Sequence, residues 1–280
     1  MSALGWRAGA SSAANSSAIG EAFARAKSQK RAAFIPYITA GDPDLETSAV
    51  LLRVLADSGA DIIELGVPFS DPIADGIVNQ RAATRALASG TTLSGLLELV
   101  SRSRDQIGIP IVLFTYFNPL HARGLRLFAE QASASGVDGV LCVDLPPIEA
   151  ATDYVPALRD AGIDTVFLLA PTSDRSRVRE VAEASTGFVY YVSRTGVTGT
   201  RSELPPELLE EAKRLRRRVA LPLAVGFGIS TPEQVRAVGK VADGVVVGSA
   251  LVRIIEDGVG SSDLVRDFGR KALELSDALR

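Results

Sequence analysis

Three carboxylates fall within one short stretch of the chain. In ELGVPFSDPIADG (64–76), Glu64 follows the apolar pair Ile62 and Ile63, and Asp71 and Asp75 come after turns marked by glycine and proline. Apolar surroundings disfavour the charged form of a carboxyl, so Glu64 is expected to titrate nearer neutrality and to carry a proton at working pH. Asp75 lies in a polar turn and is expected to stay ionised. Two carboxyls tuned apart by their surroundings can divide acid and base work. The plainer alternative pairs Glu64 in a salt bridge between strands and leaves Asp71 and Asp75 to cap the next helix. Asp71, just before Pro72, suits a turn role best of the three.

Residue types that are scarce narrow the chemistry further. His121 is the only histidine, placed after Pro119 at the start of a predicted helix, and one imidazole cannot build a His-rich metal site. It reads as a surface or capping residue. Lys27, Lys30, Lys213, Lys240 and Lys271 all lie in helical or tail segments, none at a strand end where a Schiff base would form. Cys142, the only cysteine, sits between Leu141 and Val143 and reads as a small buried hydrophobe; no intrachain disulfide is possible. Acid–base work by carboxylates remains.

Three glycine-rich turns add a place for an anion: RTGVTGT (194–200), GFGIS (226–230) and VGSAL (247–251). The last two lead into predicted helix starts, where unpaired N–H groups and the helix dipole favour negative charge, and Ser249 could add a hydroxyl. The first turn is a candidate lid.

Something must hold these groups at one mouth. Eight continuous apolar runs recur: FIPYIT (34–39), DIIELGV (61–67), PIVLFTY (110–116), GVLCVDL (139–145), DTVFLLA (164–170), FVYYVS (188–193), PLAVGFG (222–228) and GVVVGSA (244–250). Unbroken rather than alternating, they suit parallel strands covered on both faces. Helical periods separate them, in LETSAVLLRVLADSGAD (45–61), which Gly59 stops, and at 78–88, 93–106, 121–135, 147–161, 174–185, 204–218 and 231–240, and residues 19–30 predict an extra helix closing the bottom. In the first of these, Ala49, Leu52, Leu55 and Ala56 share a face. Eight strand–helix units without a second composition zone predict an α/β fold, a single (β/α)8 TIM barrel. The alternative, an open doubly wound sheet, lacks its dinucleotide loop because Pro43 stands where the glycines would run. In a barrel the site gathers at the carboxyl ends of the strands and the loops after the last two hold phosphate, which selects Tyr37, Glu64, Asp75, Tyr116, Asp144, Tyr190 and the glycine turns.

With 280 residues and 46% hydrophobic content, the chain can fill one large core. A formal charge of −3, with no basic block beyond RLRRR (214–218), gives no reason to expect a polyanion or nucleic acid. Residues 1–18 are small and polar, without the apolar centre of a secretory signal, and no run of 18 apolar residues could span a membrane. The expected organisation is a disordered tail over 1–18 and a barrel over 19–280, in a reduced cytoplasm. An organelle stroma is the alternative, should the acid-free tail be a transit peptide.

FIPYITAGDP (34–43), DIIELGVPFSDPIADG (61–76), SRTGVTG (193–199), VGFGIS (225–230) and ADGVVVGSAL (242–251) together resemble the tryptophan synthase alpha chain family, in order from about residue 19 to 275. The resemblance implies a lyase of tryptophan biosynthesis that cleaves indole-3-glycerol phosphate, in aldol fashion, to indole and glyceraldehyde 3-phosphate. It implies no cofactor or metal on this chain, a pyridoxal-phosphate-dependent beta chain as partner in an alpha2–beta2 heterotetramer, and indole passed to it by a tunnel. Cleavage without an imine needs the indole ring protonated at C3, which accounts for the absent lysine.

By the same resemblance Glu64 carries the protons, and Asp75 holds the indole N–H. Tyr37, Phe114, Tyr116, Leu141, Tyr190 and Phe227 wall the substrate. Thr198 is the lid residue; Gly199, Gly228, Gly248 and Ser249 contact phosphate. Pro68, Phe69, Asp71, Pro72 and Asn118 face the partner. The family usually follows ADG with Pro-x-Ile-Gln, but here Ile77, Val78, Asn79 and Gln80 follow. Asn79 thus sets an amide where an apolar residue normally touches indole, and position 37, often Phe, is Tyr. A free-standing lyase, or a weakly catalytic chain that mainly activates the beta chain, are the alternatives.

Overall fold

The structure, a computed structural model, describes residues 17–192, 204, 206–226 and 228–280. Eight strands, β1 (Ala33–Thr39), β2 (Ile63–Gly66), β3 (Ile111–Thr115), β4 (Gly139–Cys142), β5 (Asp164–Leu169), β6 (Val189–Val192), β7 (Leu223–Gly226) and β8 (Gly244–Val247), close in sequence order into a parallel barrel. The closing ladder pairs β8 with β1, from Ala33 opposite Gly244 to Pro36 opposite Val247.

The helices are α1 (Ala18–Ser28), α2 (Leu45–Asp57), α3 (Ile77–Ala88), α4 (Leu93–Ile107), α5 (Phe117–Arg123), α6 (Leu125–Ala134) and α7 (Pro147–Ala150). They continue with α8 (Tyr154–Asp160), α9 (Arg175–Ala184), α10 (Pro206–Arg216), α11 (Pro232–Gly239), α12 (Ser249–Asp257) and α13 (Leu264–Asp277). Side-chain oxygens start several of them: Ser17 caps α1, Asp44 caps α2 and Thr92 caps α4.

Side chains two apart on a strand share a face, so each strand feeds two cores. Phe34, Ile63, Leu65, Leu113 and Val245 pack outward against the helices. Ile35, Ile62, Val112, Leu141, Phe188 and Val246 fill the interior. The predicted bottom helix is present: α1 seals that interior, with Phe23 at 5.6 Å from Phe188 and Ile19 fully buried. Glycine is required where the plug approaches, since a Cβ on Gly139 would lie 2.7 Å from Ile19 Cδ1.

Two expectations about the helices need correction. The segment predicted as one helix over 121–135 is two, α5 and α6, broken at Gly124, whose φ of 88° and ψ of 120° leave the helical region. The segment 147–161 is likewise divided, α7 and α8 being separated by a turn that ends at Asp153. On α2 the expected face is the one that packs on the core: Leu52 and Leu55 are fully buried with Ser48 and Leu51, and Ala49 and Ala56 pack half-buried against the same cluster. Ser48 earns its buried place by accepting from Gly41 N–H at 2.9 Å and donating to the Asp44 carbonyl.

Candidate active site

The barrel's pleat decides where Glu64 points. It is two residues from the interior Ile62, and its register neighbours, Tyr37 on β1 and Val112 on β3, belong to the same interior layer. Glu64 is 1% exposed, and its Oε1 is buried without a hydrogen-bond partner. The salt bridge offered as the plainer alternative is absent among the described residues. Burial alone raises its pKa to about 8, as the apolar setting predicts. A buried carboxyl with one oxygen unpaired is costly to keep at a barrel mouth.

Asp75 meets different surroundings. The Tyr116 hydroxyl, 41 residues away, donates to its Oδ2 at 2.7 Å and accepts from Ala74 N–H at 3.0 Å. Burial raises the Asp75 pKa, while Tyr116 and the Asn79 amide both stabilise the ionised form. The loop is held from behind as well, because Gln80 Nε2 donates to the Asp75 carbonyl at 2.8 Å. Neither aspartate caps α3: its N-cap is Gly76, with no side-chain cap bond. Asp71 is exposed and accepts from Ser70 Oγ at 2.9 Å, the local turn role expected of it.

Asn79 shows the resolution of the unusual amide. It stabilises ionised Asp75, yet its Oδ1 is buried without a partner. Asn79→Leu should therefore shift the acid limb of the pH–rate profile to higher pH, since one stabiliser of the Asp75 anion is lost. Removing the orphaned acceptor should stabilise the fold where Asp75 is protonated, a gain offset by the lost bond to its carboxylate where it is ionised. Thermal unfolding and a rate profile for the one variant check both signs.

Two phenols join the carboxyls into one site. Tyr37 and Tyr190 are fully enclosed, and their pKa values are pushed up by burial and by the charges of Asp75 and Glu64, so both carboxyls act on the same two rings. Their hydroxyls lie over glycines: a Cβ at Gly66 would meet Tyr37 Oη, and one at Gly226 would meet Tyr190 Oη. Phe114 meets Tyr37 edge-on, with centroids 5.4 Å apart, and Leu141 is buried in the same interior cluster. Five of the predicted wall residues thus converge with both carboxyls. Phe227, Thr198 and Gly199, and with them the lid turn, lie outside the described residues.

The two remaining glycine turns differ. After β7, the first turn of α11 is satisfied from within: Thr231 and Gln234 form a reciprocal capping box, and Gln234 Oε1 also accepts from Ser230 N–H at 2.8 Å. Gly228 precedes it with φ of +75°, a conformation that favours glycine. After β8, Gly248 is the N-cap of α12 and no side chain caps it, while Ser249 is exposed beside it. The start of α12 is accordingly the stronger anion position of the two. Tyr37 connects it to the acid, because a Cβ at Gly248 would lie 3.3 Å from Tyr37 Cδ1.

Residue spacing gave no sign of what fixes α12. Arg85 on α3 pairs with both oxygens of the buried Asp42 at 2.8 Å and reaches Glu256 on α12 at 3.0 Å, tying the loop after β1 to the helix that presents Ser249. An acid next to Pro43 and an arginine in an amphipathic helix were the only available signals. Asp144, weighed as a site residue, instead accepts from Phe117 N–H at 2.8 Å and from the Cys142 thiol at 3.3 Å. Cys142 is buried and its pKa is pushed up by that burial, consistent with an inert core position. His121 is exposed and stacks on Phe117 at 5.4 Å.

Together the closed parallel barrel, the buried Glu64 carboxyl, the Asp75 carboxyl held by Tyr116 and an uncapped helix start at the same mouth define a barrel enzyme with its site at the carboxyl ends of the strands. The model of the tryptophan synthase alpha chain family matches residues 23–278. The chain belongs to that family. It is 50% identical over 264 residues to the tryptophan synthase alpha chain of Geobacter sulfurreducens, covering 94% of this chain and 98% of that one. Among solved structures, the alpha subunit from Legionella pneumophila is 37% identical with a TM-score of 0.87, covering 94% of this chain and 98% of that one. The tryptophan synthase complex from Pyrococcus furiosus contains a chain 42% identical with a TM-score of 0.80, covering 87% and 97% respectively. The family catalyses the lyase reaction that cleaves indole-3-glycerol phosphate in tryptophan biosynthesis, and it is not itself dependent on pyridoxal phosphate.

Proposed function

We propose that Glu64 carries the protons of this cleavage and that Asp75 holds the indole N–H. Glu64 gives its proton to C3 of the ring, forming a cation whose N–H faces the Asp75 carboxylate. The bond from C3 to the glycerol chain then breaks as the adjacent hydroxyl returns a proton to Glu64, leaving neutral indole and the aldehyde. The observation that carries this reading is the dry Glu64 carboxyl, unpartnered at Oε1 and protonated up to about pH 8, in electrostatic reach of the same two phenols as Asp75. Tyr37, Phe114, Tyr116, Leu141 and Tyr190 wall the ring and glycerol chain in this reading. Gly228, Gly248 and Ser249 receive the phosphate, with Thr198, Gly199 and Phe227 completing the wall and lid.

A beta-chain partner is implied by the family; its alpha2–beta2 stoichiometry, bound pyridoxal phosphate and an indole tunnel are further parts of the proposal. Pro68, Phe69, Asp71, Pro72 and Asn118 all retain solvent exposure at the mouth. Beside them Ile73 is 88% exposed, an apolar side chain that a docked partner would cover. We place the protein in the cytoplasm; among the described residues no helix is long and apolar enough to cross a membrane.

The test is indole release from indole-3-glycerol phosphate by the purified chain, with and without a beta chain. Slow release alone and release faster by about tenfold or more in complex is the expected result. High activity alone with no response to the partner would instead mark a free-standing lyase.

A further inference from the structure

The opposite end of the barrel carries a feature unrelated to the carboxyl site. A groove of about 1850 Å³ runs across the bottom between α1, α9, the end of α10, α11 and the last residues of the chain. Ten lysines and arginines line it against two acids, Glu183 and Asp243, a net +8 in a chain whose formal charge is −3. Some of these cations are already engaged: Arg31 pairs with Asp61 at 2.6 Å, Arg216 with Asp243 at 2.7 Å and Arg280 with Asp277 at 2.7 Å. Lys27, Lys30, Arg175, Arg179, Arg218 and Lys240 are exposed and make no ion pair among the described residues.

Like charges gathered without counter-charges repel one another, and a multivalent anion would relieve that repulsion. The only aromatic side chain at the groove, Phe23, is 5% exposed and packed on Phe188, so there is no platform on which bases could stack. Guanidinium groups predominate, and their planar forks match phosphoryl oxygens in pairs.

We propose that this groove binds a linear chain of phosphoryl groups, of the inorganic polyphosphate kind. Composition pointed to no polyanion because the longest basic run, RLRRR, contributes only Arg216 and Arg218 to the groove; the fold collects the rest from separate elements.

The experiment titrates the full chain with medium-length inorganic polyphosphate at two salt concentrations, beside pyrophosphate, single-stranded DNA and polyglutamate of matched charge. Polyphosphate should bind tightest, more weakly at higher salt, and pyrophosphate should bind poorly because it spans too few cations. The double variant Arg175→Glu/Arg179→Glu, on the exposed face of α9, should lose about tenfold or more in affinity, with lyase activity unchanged. Arg53→Glu/Arg126→Glu, which makes the same change of net charge outside the groove, should retain binding. Absence of polyphosphate binding, equal loss in both double variants, or DNA or polyglutamate binding as tight as polyphosphate overturns the proposal.

Discussion

Replacing Glu64 by glutamine should lower the rate of indole formation by about 10²- to 10⁴-fold, the range that a positioned proton carrier contributes. Glutamine keeps the shape and the neutrality that Glu64 already has in the barrel, so the variant should fold and still bind a beta chain. The measurement is single-turnover indole release from the assembled complex, with circular dichroism to confirm the fold. Were release by the complex undiminished, Glu64 would be no proton carrier, and the chain's main part would be to activate its partner. The contrast with Asp75 explains why the larger loss belongs at 64. In the proposed reading Asp75, hydrogen-bonded by Tyr116 and Asn79, acts through its charge, while Glu64 alone moves the protons.

The second large effect concerns stability against pH. Burial raises the Glu64 pKa from 4.5 to about 8, so between those values the folded chain holds a proton that the unfolded chain has released. Stability from this group is full below pH 4.5, falls by about 1.4 kcal/mol per pH unit as pH rises, and levels off above about 8. Glutamine cannot ionise, so the variant should lack this slope. Its advantage over the wild type should reach the order of 3 to 5 kcal/mol at pH 9 and nearly vanish at pH 4.5. Urea unfolding of both chains across that range measures the difference, in which the titration of every other group cancels. A constant gap at all pH values would mean that Glu64 is charged in the fold.

Much of this fold was legible from spacing. Continuous apolar runs announced strands buried on two faces, and the eightfold alternation with helical periods announced closure. Element ends were less legible. Gly124 divides one predicted helix because a single residue outside helical φ and ψ suffices, and a periodic pattern runs on through it. Strand ends also fell short of the apolar runs: β2 stops at Gly66, although the run continues through Val67. The environment of Glu64 could be read from its neighbours in sequence, but that of Asp75 could not. Its hydroxyl donor comes from β3's end, and only closure of the barrel brings Tyr116 to it. The capping alternative was equally sound on sequence grounds; it failed because Gly76 begins α3 without help from either aspartate. The bottom groove was illegible for a similar reason, since its cations are scattered along the chain and meet only in the folded state.

The helix α1 has one more effect. With Ile19 and Phe23 buried at the lower end, the interior beneath Glu64 is filled by packed side chains, among them Val112 and Ile62. Deleting that helix should uncover this layer and bring the Glu64 pKa down from about 8 toward 4.5, which urea unfolding across pH would register.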